Sequence, residues 1–125
     1  MINLKEFEYN GFIFDYYCMN NNSIFITSME QLNQNKDISA IKFPSYIENK
    51  PVIYLNYNIF VESAINMFNI KYIELPDHSP ILPNCINYFH NLLIIKYFGI
   101  IICKNKIKNI QPQCHNSYII KYKVL

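Results

Sequence analysis

Two stretches of the chain, 22 positions apart, share one pattern and decide which fold the sequence predicts. They read Asn69-Ile70-Lys71-Tyr72-Ile73-Glu74-Leu75-Pro76 and Asn91-Leu92-Leu93-Ile94-Ile95-Lys96-Tyr97-Phe98. Each has an Asn, an aliphatic residue, two variable positions, an Ile, a charged residue and an apolar residue. Leucine-rich repeats have periods of about 20–29 residues, so this pair predicts a short solenoid of that type.

Two further copies flank the pair. Residues Asp37–Pro44 match it upstream, and Tyr118–Lys123 match it more weakly downstream. Between the first two copies, Tyr46–Leu55 is interpreted as an added turn and strand. The predicted repeat strands are Ile41–Phe43, Ile73–Leu75, Ile94–Tyr97 and Ile119–Tyr122. A helical or 3₁₀ return is predicted from the apolar spacing of Phe60, Ala64, Met67 and Phe68.

The first thirty residues predict a small antiparallel β unit. Asn10-Gly11 is a strong hairpin signal because both central turn positions need a positive φ. A solenoid needs an atypical terminal unit to close its open end, and residues 7–28 are assigned to such a cap. The sequence therefore predicts one domain over residues 1–125, β-rich α+β in class, with about three to four degenerate repeats over residues 37–125.

With these residues in place, the chain resembles the BspA-like leucine-rich repeat family, as a short and divergent member. Ile73-Glu74-Leu75-Pro76 and Ile41-Lys42-Phe43-Pro44 match the end of the family's repeat strand. Tyr46–Val52 resembles its common link, and Phe7–Phe12 resembles its N-terminal segment. The resemblance implies a solenoid that binds other proteins, without catalytic residues. Because that family is mostly secreted or surface-attached, it also leaves open a surface adhesion fragment.

Composition favours a folded protein of a low-GC genome: 51% of residues are hydrophobic, Asn and Ile are abundant, and Arg is absent. The net charge of +2 is uneven, because residues 1–62 carry −3 and residues 63–125 carry +5. No secretory signal or membrane-spanning run is recognised, and the four cysteines are irregularly spaced. A cytoplasmic protein with reduced cysteines is expected.

No motif for catalysis, a metal or a cofactor stands out. The nearest approach to a metal pair is Cys85 with His90, and neither a C-x-x-C pair nor a zinc-finger spacing is present. The adjacent Cys114 and His115 lack an orienting acid, since no carboxylate follows Asp77. The two glycines are far apart and make no phosphate-binding loop. We therefore predict no enzyme, no cofactor and no small-molecule substrate.

Two surfaces are candidates for binding. Alternation along a strand directs neighbouring side chains to opposite faces, which predicts an outward strip for a protein partner. This strip consists of Lys42, Tyr72, Glu74, Lys96 and Lys121. The alternative is a basic patch that would bind nucleic acid together with nearby tyrosines. This patch consists of Lys104, Lys106, Lys108, Lys121 and Lys123.

The sequence thus predicts a non-catalytic protein–protein interaction module, with an unidentified protein partner. An inhibitor or immunity protein that binds and blocks one enzyme is the sharper form of this hypothesis. Nucleic-acid binding through the Lys- and Tyr-rich C-terminal half and a surface adhesion fragment remain open as alternatives. No membrane association is predicted.

Overall fold

The computed structural model describes residues 3–103, which form nine strands, one short α-helix and one 3₁₀ turn. The strands form two mixed sheets, one of which curls into a nearly closed, barrel-like shape. The element bounds, in chain order, are β1 Lys5–Tyr9, β2 Phe12–Cys18, β3 Ile24–Gln31, β4 Ala40–Lys42, β5 Tyr46–Ile47, β6 Lys50–Leu55, α1 Ile59–Glu62, β7 Tyr72–Glu74, η1 Ile86–Tyr88, β8 Ile94–Tyr97 and β9 Ile100–Cys103.

The first sheet has five strands in the order β1-β2-β3-β6-β5. Strands β1, β2 and β3 form an antiparallel meander, and β6 then joins β3 in parallel. The hairpin predicted at Asn10-Gly11 is present, with φ of 49° and 84° at its two central residues. Alternation in β2 places Phe12, Phe14 and Tyr16 in the core.

The second sheet has four strands in the order β4-β7-β8-β9. The first three are parallel, and the matching positions of the three sequence copies pair directly, so that Ile41 faces Ile73 and Ile73 faces Ile95. Strand β9 returns antiparallel to β8 and places Ile102 opposite Ile95. These four isoleucines are at most 1% exposed and form one buried row.

Aromatic side chains fill much of the core. The ring centroid of Phe14 in β2 lies 5.2 Å from that of Phe43. Phe43 directly follows Lys42, the last residue of β4. Phe43 contacts Phe60 of α1, and Phe60 contacts Phe89 just after η1. This chain of rings connects the inner side of the first sheet with the segments beside the second.

The predicted leucine-rich-repeat solenoid, with its N-terminal β-hairpin cap, is wrong. The returns between parallel strands contain only a four-residue helix and a three-residue 3₁₀ turn, so almost no helix is present in residues 3–103. The turn and strand predicted within Tyr46–Leu55 are present, but strand β6 lies in the first sheet beside β3 and not in the sheet of the repeated pattern. The antiparallel β9 ends the parallel series at three strands. The N-terminal strands therefore form one sheet together with β6 and β5 and do not cap a stack of repeats.

The predicted helical return is present only in part, as a four-residue helix that contains Phe60. The α-helix ends at Glu62, and Ala64 and Phe68 are exposed, the latter at 64%. The fourth predicted repeat strand, Ile119–Tyr122, lies outside the described residues. The assignment of residues 1–125 to one domain stays a prediction.

Candidate functional site

The outer face of the second sheet is the surface that the sequence pattern selected, and we call it the β4–β9 face. Its side chains form two rows across the four strands, because residues that pair in register point to the same side. One row contains Ala40, Tyr72, Ile94 and Cys103, and the other contains Lys42, Glu74, Lys96 and Ile101. The buried isoleucine row runs between them on the opposite side of the sheet.

Four of the five residues of the predicted strip lie on this face. Lys42, Glu74 and Lys96 are direct cross-strand neighbours, and Tyr72 lies two residues before Glu74 on β7. The fifth residue, Lys121, lies outside the described residues. Their role in binding a protein stays a prediction. All members of the alternative basic patch, namely Lys104, Lys106, Lys108, Lys121 and Lys123, also lie outside the described residues.

Tyr72 is held in place by its neighbours on this face. Its hydroxyl donates a hydrogen bond to Glu74 Oε1 at 2.6 Å, and the Lys42 ammonium lies 5.8 Å from its ring centroid. Partial burial, followed by the hydrogen bond to Glu74 and the nearby negative charges, raises the pKa of Tyr72 to about 12. The hydrogen bond to Glu74 fixes the phenol as a donor, and the raised pKa extends the pH range over which it stays protonated.

Lys96 lies at the β8 end of the charged row and forms an ion pair with a residue outside the sheet. Its Nζ lies 3.2 Å from Asp77 Oδ1, in the loop after β7, and both side chains remain partly exposed. The backbone N–H of Asp77 donates to Ser45 Oγ at 3.0 Å, which fixes this loop against the segment between β4 and β5. Lys96 therefore presents a partly neutralised charge with a defined position.

Exposed apolar side chains lie beside Lys96 in the β8–β9 half of the face, and this was not predicted from the sequence. Ile94 is 36% exposed and Ile101 is 50% exposed, and Cys103 is also exposed. The sequence signal that could have indicated this was the pair Phe98-Gly99, which forms the turn between β8 and β9. Both residues have a positive φ there. A tight turn there sets the alternation of β9 and directs Ile101 outward.

A second polar cluster surrounds Glu48, in the tight turn between β5 and β6. Its carboxylate accepts hydrogen bonds from Tyr16 at 2.6 Å and from Lys5 at 3.1 Å, and Lys50 lies 3.6 Å away. The hydrogen bonds from Tyr16 and Lys5 lower the pKa of Glu48 to about 2. This cluster joins the β5–β6 turn to β1 and β2 across the first sheet, so we assign it a structural role.

The thiol of Cys18 completes the Glu48 cluster. Its Sγ lies 3.8 Å from Glu48 Oε1 and 3.6 Å from Lys50 Nζ. Within residues 3–103, no histidine forms a hydrogen bond or ion pair with this cluster, and the exposed His78 instead shares a hydrogen bond of 2.7 Å with the hydroxyl of Tyr46. Within residues 3–103, no group of three or more His, Cys, Asp or Glu side chains is placed to hold a metal ion. Cys114 and His115 lie outside the described residues.

In the part of the chain that the structure describes, no helix has the length and apolar character needed to cross a membrane. Comparisons with models of protein families, with curated proteins and with solved structures found no match for this chain. The resemblance to the BspA-like family therefore stays a prediction from sequence motifs, and the solenoid that it implied is wrong.

Proposed function

We propose that this chain is a non-catalytic interaction module that binds a protein partner through the β4–β9 face. One observation carries the proposal: exposed aliphatic side chains lie directly beside an ordered row of charged and aromatic ones. Ile94 and Ile101 would form an apolar patch on β8 and β9, and Lys42, Glu74 and Lys96 would form a charged row beside it. This is the anatomy of protein interfaces, which have an apolar core and a polar rim.

The arrangement also suits binding because several side chains of the face are already held in place before a partner binds. Tyr72 is fixed between Lys42 and Glu74, and Lys96 is fixed by Asp77. Side chains that are ordered before binding lose less conformational entropy on association. Tyrosine is also enriched among residues that contribute strongly to interfaces, because it combines a large apolar ring with a polar tip.

The finer parts of the proposal are an inhibitor or immunity role and a cytoplasmic location. Cys18, Cys85 and Cys103 are free thiols in the structure, as is typical of proteins in a reducing compartment. A small module that carries an ordered binding face suits the role of blocking one enzyme by covering part of its surface.

The test is affinity capture from cells of the source organism, with a variant of the face and a matched control. The variant Ile94→Lys/Ile101→Lys puts two charges into this apolar patch on β8 and β9. The control Leu32→Lys/Val61→Lys makes the same chemical change at two exposed positions elsewhere, which are 48% and 52% exposed. Burying an unpaired lysine in an interface is strongly unfavourable, so the first variant should lose a stoichiometric protein that the control retains.

Equal recovery of the protein by the variant and the control would contradict a role for this face. Recovery of nucleic acid in place of a protein, removed by nuclease treatment, would favour the basic-patch alternative instead. Both variants are first compared with the original chain by circular dichroism, so that a folding defect is not mistaken for a binding defect.

A further inference from the structure

The outer face of the first sheet carries a row of stacked aromatic rings, and we call this surface the β1–β6 face. Tyr17 of β2 lies opposite Phe25 of β3, with ring centroids 5.3 Å apart and planes 18° from parallel. Phe25 lies opposite Tyr54 of β6, at 6.1 Å and 23°. All three rings are half-buried, so their edges reach the surface. The core lies on the other side of these strands, where Tyr16, Ile24 and Ile26 are buried.

The row ends at Tyr54, and at this position no strand of the described residues 3–103 pairs with β6 on the side away from β3. Strand β5, the next in the sheet, spans only Tyr46–Ile47 and pairs with Lys50 and Pro51. Within residues 3–103, the hydroxyls of Tyr17 and Tyr54 make no hydrogen bond, and both are free to meet a ligand. A stack with an open end and free hydroxyls can be extended by a further planar group.

Four carboxylates also lie on this face. Glu6 of β1 lies opposite Asp15 of β2, and Glu30 of β3 lies opposite Ile13 of β2. Glu8 shares this side with Glu6, because residues two apart on a strand point the same way. Glu6, Glu8 and Glu30 are exposed, and none of the three forms an ion pair within the described residues.

The pairing of Glu6 with Asp15 is unfavourable for the isolated chain. Like charges directly opposite one another destabilise a strand pair. The Asp15 carboxylate accepts one hydrogen bond, from Ser28 Oγ at 2.9 Å, which does not neutralise it. The nearest basic residue of β1, Lys5, points to the other side of the sheet and pairs with Glu48. A cation from outside would relieve this repulsion.

We propose that the β1–β6 face binds an extended, arginine-rich segment of a partner protein. Four strands at about 4.8 Å spacing span about 14 Å, which is the length of roughly four extended residues. The carboxylates supply the charge complement, and the aromatic row supplies surfaces on which guanidinium groups stack. Arginine is favoured over lysine because its guanidinium is planar, weakly hydrated and able to bind a carboxylate through two hydrogen bonds.

This surface is separate from the β4–β9 face, which lies on the other sheet. Its charge is also different, since the β4–β9 face presents Lys42 and Lys96 around Glu74. Failure of one proposal therefore leaves the other standing, and variants of the two faces distinguish them.

The test uses the full chain, isotopically labelled, with nona-arginine as the probe and nona-lysine and nona-glutamate as matched peptides. Binding is followed by NMR, which reports both the affinity and the residues whose signals move. We expect nona-arginine to shift the signals of Glu6, Asp15 and Phe25, and to bind about twofold to fivefold more tightly than nona-lysine. Nona-glutamate should leave these signals unchanged.

Two pairs of variants test the specificity of binding. The first pair compares loss of carboxylates on this face with the same loss of charge elsewhere, and the second compares loss of a ring on this face with loss of a ring elsewhere. Glu6→Gln/Glu30→Gln should weaken nona-arginine binding by about threefold to tenfold, whereas Asp37→Asn/Glu62→Gln, with the same change in net charge, should not. Phe25→Leu should remove the preference for arginine over lysine.

Tyr88→Leu, which removes a 62% exposed ring outside this face, should keep the preference for arginine over lysine. Equal weakening by both charge variants would overturn the proposal, as would signal shifts confined to residues near Glu74 and Asp77. A carbodiimide crosslink of Glu6 or Glu30 to the chain's own Lys121 or Lys123 would also overturn it, because the occupant would then be this protein itself.

Discussion

Replacing Ile73 by alanine should be among the most destabilising single changes in the second sheet. Ile73 is 0% exposed and sits in the middle strand of the parallel series, between Ile41 and Ile95. The change removes three buried carbon atoms, and at about 0.8 kcal/mol each the loss of transfer free energy is roughly 2.4 kcal/mol. The cavity left in a tightly packed row brings the expected loss of unfolding free energy to about 3–4 kcal/mol.

The matched control is Ile101→Ala, the same change on the outer face. Ile101 is 50% exposed, so about half of the transfer term applies and the expected loss is about 1 kcal/mol. Urea unfolding of both variants can be followed by tyrosine fluorescence, because the chain has 11 tyrosines and no tryptophan. Equal losses in the two variants would refute the reasoning, since they would show that the sheet does not separate a structural side from an exposed one.

Three further predictions concern single groups. Glu74→Gln should lower the pKa of Tyr72 from about 12 toward its ordinary value, as measured by a tyrosinate absorbance titration, because a negative hydrogen-bond acceptor is lost while the burial remains. The folded-state pKa of Glu48 is depressed to about 2, so its contribution to stability is present above about pH 4.5 and is lost as the pH falls toward 2. Thermal melts across that window should therefore change less for Glu48→Gln than for the original chain. Gly11→Ala should lower the unfolding free energy by about 1 kcal/mol in urea titrations, because φ at Gly11 is +84° although a Cβ there would meet no atom within 4 Å.

Local structure was the part of the fold that could be predicted from the sequence. Asn10-Gly11 indicated its hairpin because few other residue pairs accept a positive φ twice. The repeated pattern around Ile41, Ile73 and Ile95 indicated three strands whose isoleucines are buried, and these strands pair in parallel. Both signals depend only on neighbouring residues and on alternation, which are present in any single sequence.

The solenoid prediction failed because it depended on long-range pairing. A parallel ladder of three strands occurs both in stacks of repeats and in mixed sheets. The two folds differ in the structure of the segments that connect the parallel strands. Residues 50–55 pair with β3, more than twenty positions upstream, and no local pattern indicates that choice. The short returns at α1 and η1 cannot form the second layer of a repeat, although the apolar spacing of Phe60, Ala64 and Phe68 is helical.

The candidate surfaces also combine features that follow from local alternation with features that depend on turn geometry or strand pairing. Tyr72 and Glu74 were placed outward correctly because alternation within β7 is a local property. Ile101 was missed because its direction follows from the Phe98-Gly99 turn. The β1–β6 face was missed because Glu6 and Asp15 become neighbours only when the register of β1 with β2 is known.

The most direct test of the proposed function is photo-crosslinking from the middle of the β4–β9 face. A photoreactive amino acid replaces Lys96, and the control replaces Lys36, an exposed lysine between β3 and β4. Irradiation in cells of the source organism should give one discrete protein adduct from position 96 that is lost when Ile94→Lys/Ile101→Lys is added. No adduct from position 96, or the same adduct from position 36, would contradict the proposal that this face binds a protein.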